Sequence, residues 1–547
     1  MQPLKRQQSS LFLILLLVWI VGTRLEAAPI DANGWLAVRS PNFVLYTHAE
    51  PERGVEIVQG LERFRSMFAR LAPSLELRSP TPTKLFAFRD AHAYAGYKRG
   101  PSGGSVQVLG QFVRQFDVNY ITLDASALQR GALGVIQHEY VHYFVRHNFP
   151  RVPLWFNEGL AEYYSTFEIE GEHARLGRPV EDHWRRLREA ELDLGRVLNA
   201  HRGSSDYHEA SRVGTFYATS WALVHYLLAS GERLDQTAEY LVRLGQGEDP
   251  ERAFEAAFGD RLSRFEDQLR EYLNGPSLAE IRVPLERLGG EAPVTVHELP
   301  RAEALYQLGD LLAHIGFFDD AQDHFQQTLD LQPNHPGTVA GLAWIRDAQK
   351  RHAEAAMLHE EALASGAAEP QQFLAYGRHL LIRQNEAVAA GEYGAPLVER
   401  AIGALEASIR AFPDYGEAHV LIGQAYLLRP DSRDGVKYLQ RARTLLPDRD
   451  EVLLLLVRMH LKNAEIDAAE TVLETELAFR AEPHVVEEIR QEVERWRYLH
   501  AAEAAFGDGE IERGLELFDQ AISITSDPLL RERMEERLQQ LQERFER

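Results

Sequence analysis

The sequence predicts an α+β domain followed by an all-α superhelix of repeated helix pairs. Three observations carry this expectation. Short alternating apolar runs fill the chain up to Ala125, interrupted by one long stretch at helical spacing. From Arg301 onward, Ala- and Leu-rich helical pairs recur at steps of about 34 residues. Between the two textures lies Gly134–Asn148, GVIQHEYVHYFVRHN, which sets two histidines four positions apart around a glutamate. A chain of 547 residues exceeds one hydrophobic core, so several folding units are expected.

Lys5 and Arg6 precede the apolar run Leu11–Gly22, and TRLEAAPID follows. A basic start, a short apolar core and an Ala-rich exit predict a signal peptide over 1–28, cleaved near Ala27 or Ala28, and hence export to a bacterial periplasm or cell envelope. The apolar run is about a dozen residues, against the roughly 20 that a spanning helix needs. An uncleaved N-terminal anchor is the alternative. Past the signal, NFVLYTH and TKLFAFRD predict strands, GVEIVQGLERFRSMFARLAP a helix ending at Pro73, and GQFVRQFD with VNYITLDA a strand pair. Helices are expected from Ala125 to about Asn274, with Ser126 and Gln129 forming a capping box before the His-bearing helix. Pro150 and Pro153 close that helix. The domain boundaries are 31–275 for the α+β domain, 276–300 for a linker with one short strand at EIRVPL, and 301–547 for the helical repeats.

Composition limits the function. The net charge is −23, so a nucleic acid is excluded as a partner, because affinity there comes from neutralising phosphates. There is no cysteine, hence no disulfide, no lipid anchor on cysteine and no thiolate ligand. Any metal must be held by histidines and carboxylates.

His138 and His142 are i and i+4, so both imidazoles leave one helix face a turn apart, which suits two ligands of one Zn²⁺. Glu139 beside them suits a general base acting on zinc-activated water. In a chain with 21 histidines this five-residue pattern is suggestive only, and the next segment decides. Pro153–Tyr164 reads PLWFNEGLAEYY, and its Glu158 supplies a third ligand from a following helix. Two His and one Glu leave a coordination position open, the arrangement of a catalytic site holding one Zn²⁺ per chain. Glu162, one turn beyond Glu158, can take the N–H of a ligand histidine.

This combination, H-E-x-x-H followed by W-x-N-E-G-x-A-x-Y, resembles the gluzincin metallopeptidases, the clan of thermolysin and aminopeptidase N, and most closely the bacterial peptidase MA-like domains. The resemblance implies a gluzincin-like metallopeptidase fold, zinc on His138, His142 and Glu158, Glu139 as base and Glu162 behind the ligands. FYATSWALVHYLL, Phe216–Leu228, is similar to the segment in which aminopeptidase N relatives keep an oxyanion-binding tyrosine. That likeness makes Tyr217 the donor, although Thr219-Ser220 stands where those relatives carry Lys-Gly. No G-x-M-E-N segment is present, so aminopeptidase activity is not implied. From Arg301, LYQLGDLLAHIGFFDDAQDHFQQTLDLQPNHP resembles a tetratricopeptide repeat, with Leu305, Leu308, Gly309, Leu312, Ala321, Phe325 and Pro333 at its positions. About six such units are expected, two of them degenerate, then a charged closing helix.

GPSGGSVQVLG lacks the Lys-Ser/Thr of a phosphate loop and reads as a flexible connection. His147, His201, His208 and His225 lack ligand spacing, and Trp155 and Phe156 are expected to wedge the Glu158 helix. Two functions compete. One is an exported zinc metallopeptidase, expected to be an endopeptidase, whose repeats bind a protein or peptide. The other is an envelope scaffold in which the repeats do the work and the zinc domain is idle.

Overall fold

A six-stranded sheet organises the first part of the chain, in the order β4-β5-β3-β2-β1-β9. The strands are β1 Leu36–Arg39, β2 Val44–Thr47, β3 Thr83–Phe88, β4 Gly110–Val113, β5 Asn119–Asp124 and, much later, β9 Thr295–Glu298. The β2/β3 and β3/β5 pairs are parallel and the others antiparallel. The structure is a computed structural model that describes residues 31–71, 76–98, 109–149, 152–189, 192–201, 204, 210–228, 231–391 and 395–545. The signal-peptide expectation, most of the glycine-rich 100–110 segment and His208 lie outside the described residues.

Parallel pairing in the sheet centre requires cover on both faces, and both are covered. Leu45, Leu85, Ala87, Ile121 and Leu123 pack with helix α1 (Pro51–Leu71) and with Ile136 of helix α2 (Ala132–Asn148). Lys84, Phe86 and Tyr120 turn to the other face, where they are also buried. That face is closed by the repeats. The longer helices that follow α2 in the first part are α3 (Leu154–Tyr164), α4 (Glu181–Glu189), α5 (Ala210–Leu228), α6 (Leu234–Gly245), α7 (Pro250–Phe258) and α8 (Leu262–Leu273), with one short turn of helix at Leu194–Leu198. They share a core built on Trp155, Trp221, Tyr240 and Phe254. Strands β6 (Glu168–Glu170), β7 (His173–Leu176) and β8 (Ile281–Pro284) form a small second sheet.

Two expectations need correction. The capping box on Ser126 does not form, because the helix begins later. Asp124 accepts from the amide and hydroxyl of Ser126 in a 3-10 turn, and Gly131, at φ +94°, breaks that turn from α2. The 276–300 segment is not a free linker. It carries β8, at the strand expected in EIRVPL, and also β9, which pairs with β1 at the sheet edge.

The rest is helix pairs: α9 (Arg301–His314) with α10 (Phe318–Leu331), α11 (Pro336–Ala348) with α12 (His352–Ala364), and α13 (Pro370–Ala389) with α14 (Ala395–Ala411). Then come α15 (Gly416–Leu427) with α16 (Gly435–Leu445), α17 (Asp450–Lys462) with α18 (Ile466–Thr475), and α19 (Pro483–Gly507) with α20 (Ile511–Ser523), before the closing α21 (Pro528–Phe545). Glycines set how closely the pairs approach. A Cβ on Gly309 would lie 2.7 Å from the Phe325 ring, and one on Gly341 2.5 Å from the same ring. The third pair is longer than the first two because its first helix, α13, runs to Ala389, so that its partner α14 starts only at Ala395.

The first helices of four successive pairs touch the sheet domain. Lys84 Nζ donates to Gln307 Oε1 (3.0 Å) and Asp310 Oδ2 (2.8 Å) of α9. Trp344 Nε1 of α11 donates to Asp117 Oδ2 (3.1 Å), Arg378 of α13 stacks on Phe116, and Gly416 N of α15 donates to Pro80 O (2.9 Å). Residues 32–547 accordingly form one compact unit. Part of the repeat surface expected to receive a partner is covered by the chain's own sheet.

Candidate metal centre

Helix α2 carries His138, Glu139 and His142, and α3 carries Glu158 and Glu162. The two helices meet so that His138 Nε2 and His142 Nε2 stand 3.0 Å apart. Glu158 Oε2 lies 3.2 Å from His142 Nε2 and 3.7 Å from His138 Nε2. Ligands held about 2.0–2.1 Å from a tetrahedral zinc stand about 3.3 Å from one another. The three observed separations bracket that figure. The donor set, two imidazole nitrogens and one carboxylate oxygen with no sulfur, is one that zinc accepts. The three residues therefore fit the ion that the sequence implies.

The electrostatics agree with a cation-binding pocket. Burial by itself would raise the Glu158 carboxyl, but hydrogen bonds from His138 and His142 outweigh it and hold it down to about 2. Burial would lower His138, yet Glu158, Glu162 and Glu139 together raise it. Glu139 is half-buried and close enough to act on His138 through its charge.

Glu162 faces His138 Nδ1 at 3.5 Å through one oxygen and His183 Nε2 of α4 at 3.1 Å through the other. A carboxylate holding Nδ1–H leaves the Nε2 lone pair for a metal. His183 was not legible as a site residue, since one histidine in EDHWRRLRE has no partner at metal-ligand spacing. Tyr217 of α5 is half-buried, its ring 6.4 Å from that of His138.

Gly159 explains how α5 comes this near. A Cβ at that position would lie 2.3 Å from Ser220 O and 2.6 Å from the Val224 side chain. Only hydrogen at 159 lets α3 and α5 pack this closely, with Glu158 and Tyr217 on either side of the contact. Trp155 is fully buried against Tyr240, and Phe156 is buried beside it, which anchors the first turn of α3. Of the other histidines, His225 is a core residue bonded to Gly177 O and the Tyr272 hydroxyl, His147 stacks on Tyr143, and His201 is exposed. A cavity of about 920 Å³ opens beside α2 but is lined by Gly134, Gln137, Ser165 and Arg178, and by none of the three candidate ligands.

Residues 133–246, which span α2, α3 and α5, match the family described as "Protein of unknown function (DUF1570)". Residues 300–365 and 397–450 match tetratricopeptide repeat families. The helix pairs within these two stretches are tetratricopeptide repeats, a module that generally serves protein and peptide binding. No curated protein matches the chain. Similar solved structures include YrrB, described as a tetratricopeptide repeat protein with an unusual peptide-binding site, at 13% identity over 35% of this chain and 92% of that one, TM-score 0.30. Others are pilF of Pseudomonas aeruginosa (15% identity, 43% and 97%, TM-score 0.29) and a thermophilic tetratricopeptide repeat protein of Thermus thermophilus (20%, 36% and 100%, TM-score 0.26).

Proposed function

We propose that this chain is an exported zinc-dependent hydrolase of peptide bonds, of gluzincin-like type, whose repeats hold a protein or peptide. The observation that carries the reading is the convergence of His138 Nε2, His142 Nε2 and Glu158 Oε2 at 3.0, 3.2 and 3.7 Å. Zinc held there would supply Lewis-acid chemistry, polarising a water molecule and a scissile carbonyl. The chain's own residues would do the rest. Glu139 would accept the proton of the attacking water and pass it to the leaving amine. The Tyr217 hydroxyl would donate to the oxyanion that develops on the carbonyl. Glu162 would hold His138 in the tautomer that leaves Nε2 free, with His183 steadying the far carboxylate oxygen.

The second reading, an envelope interaction protein with an idle metal domain, is favoured by a specific finding. The repeats are the part of the chain whose matched families carry a known character, and that character is protein binding. One experiment separates the two. Zinc content and cleavage of a broad peptide library are measured for the unaltered protein, His138→Ala and Glu139→Gln. The hydrolase reading expects His138→Ala to lose one equivalent of zinc and Glu139→Gln to keep it while losing cleavage. Unchanged zinc in His138→Ala would overturn the ligand set. Zinc without cleavage in the unaltered protein would favour the scaffold.

A further inference from the structure

A second group of metal-ligating side chains lies inside the repeats, far along the chain from α2. Asp347 lies in the last turn of α11, His352 and His359 stand two turns apart on α12, and His379 comes from α13. The three helices bring them together. His359 Nε2 lies 2.9 Å from Asp347 Oδ2, His379 Nδ1 2.8 Å from Asp347 Oδ1, and His352 Nδ1 3.1 Å from the same Oδ1. One ligand atom each of Asp347, His359 and His379 falls within 4.8 Å of the others.

We propose that Asp347, His359 and His379, with His352 at the solvent edge, form a binding site for a divalent first-row transition metal such as zinc. The ion would clip the second helix pair to the third. Two arguments support this. First, ligand atoms around a tetrahedral zinc stand about 3.3 Å apart, so the carboxylate–nitrogen separations need to open by only a few tenths of an ångström. Three imidazoles and one carboxylate form a donor set that zinc, cobalt and nickel accept.

Second, the cluster is buried. The side chains of His359 and His379 are 1% exposed and that of Asp347 12%. The ion-pair partners of Asp347 among the described residues are the three imidazoles alone. Arg346 and Arg351 pair with Glu354 instead. A buried carboxylate that no arginine or lysine among the described residues reaches leaves room for a divalent ion as its counter-charge. His352, 18% exposed, and Glu386, 3.6 Å from its Nε2, mark the side from which an ion would enter.

The test uses the full chain carrying His138→Ala and His142→Ala, so that the α2 site contributes nothing. The metal-free protein is titrated with Co²⁺, followed by its visible d–d absorption, and then with competing Zn²⁺. One equivalent should bind at micromolar concentration, be displaced by zinc and raise the melting temperature. Adding Asp347→Asn should abolish binding with the far-ultraviolet helical signal retained. Should that variant unfold, His352→Gln, at the solvent edge, should weaken Co²⁺ binding about tenfold or more. No Co²⁺ bound in the His138→Ala/His142→Ala chain, with its melting temperature unmoved, would overturn the proposal and leave a hydrogen-bonded hub. Failure of the α2 zinc reading would show differently: the unaltered chain and the double variant would bind the same amount of metal.

Discussion

Replacing His314 by glutamine should remove a large part of the pH dependence of this protein's stability. His314 is fully buried where α9 meets the sheet domain. Its Nε2 lies 3.2 Å from Asp117 Oδ2, and its Nδ1 lies 2.7 Å from Asp310 O and 3.5 Å from Asp310 Oδ1. Burial would lower its pKa, but the Asp117 and Asp310 carboxylates outweigh burial and push it up to about 9, from an ordinary 6.5. A folded-state value above the unfolded one stabilises the fold fully below about pH 6.5, and the contribution is lost as pH rises through about 9. The size of the shift corresponds to about 3 kcal/mol, taken as an upper figure because His314 titrates beside Lys84, Asp310 and Asp117. Urea-unfolding midpoints of the unaltered chain and His314→Gln, taken at about pH 6 and about pH 9.5, measure it. The unaltered chain should lose up to that amount more than the variant over the window. Parallel pH dependences would mean that His314 is neutral in the folded state and that the Asp117–His314–Asp310 cluster is not charged as described.

Tyr217→Phe should lower kcat about 10²–10³-fold with zinc content and helical signal unchanged, since one preorganised oxyanion donor is lost. Equal turnover in steady-state peptide cleavage would return Tyr217 to a packing role. Gly159→Ala should cost about 1–3 kcal/mol by forcing α3 and α5 apart, and should weaken zinc binding with it, because Glu158 moves with its helix. Calorimetry and zinc titration on that variant check both, and a loss of stability with zinc affinity intact would detach the helix contact from the position of Glu158.

The parts of this molecule that were legible in the sequence are those in which one element holds the whole pattern. His138 and His142 share a helix, so their spacing alone puts both nitrogens on one side. The 34-residue repeat is legible for the same reason: Phe325 touches Gly309 in its own pair and Gly341 in the next, and that local fit recurs. What escaped is what three or more elements assemble. Asp347, His359 and His379 come from three helices, and the only periodic trace of their cluster is His352 and His359 on one face of α12. His183 reaches Glu162 from a helix whose own pattern points only to charge.

The sheet shows the same limit from the side of burial. Lys84 in β3 reads as the polar position of a strand with one wet face. In the fold it is buried, held by Asp310 and Gln307, with the Tyr306 ring 5.6 Å away. Nothing within TKLFAFRD could announce a carboxylate more than two hundred residues later. Yet a lysine is tolerated there only because that carboxylate arrives, since a buried ammonium without a partner costs several kcal/mol. The consequence for function is geometric. The face of the repeats made by the first helices of the pairs is partly taken by the chain's own sheet. If the chain is a hydrolase, the sheet that anchors the repeats is also the one that Ile136 of α2 packs against. His138 and His142 follow two and six residues further along α2, so the helix that carries the candidate ligands packs on the sheet face away from the one that Lys84 turns to the repeats.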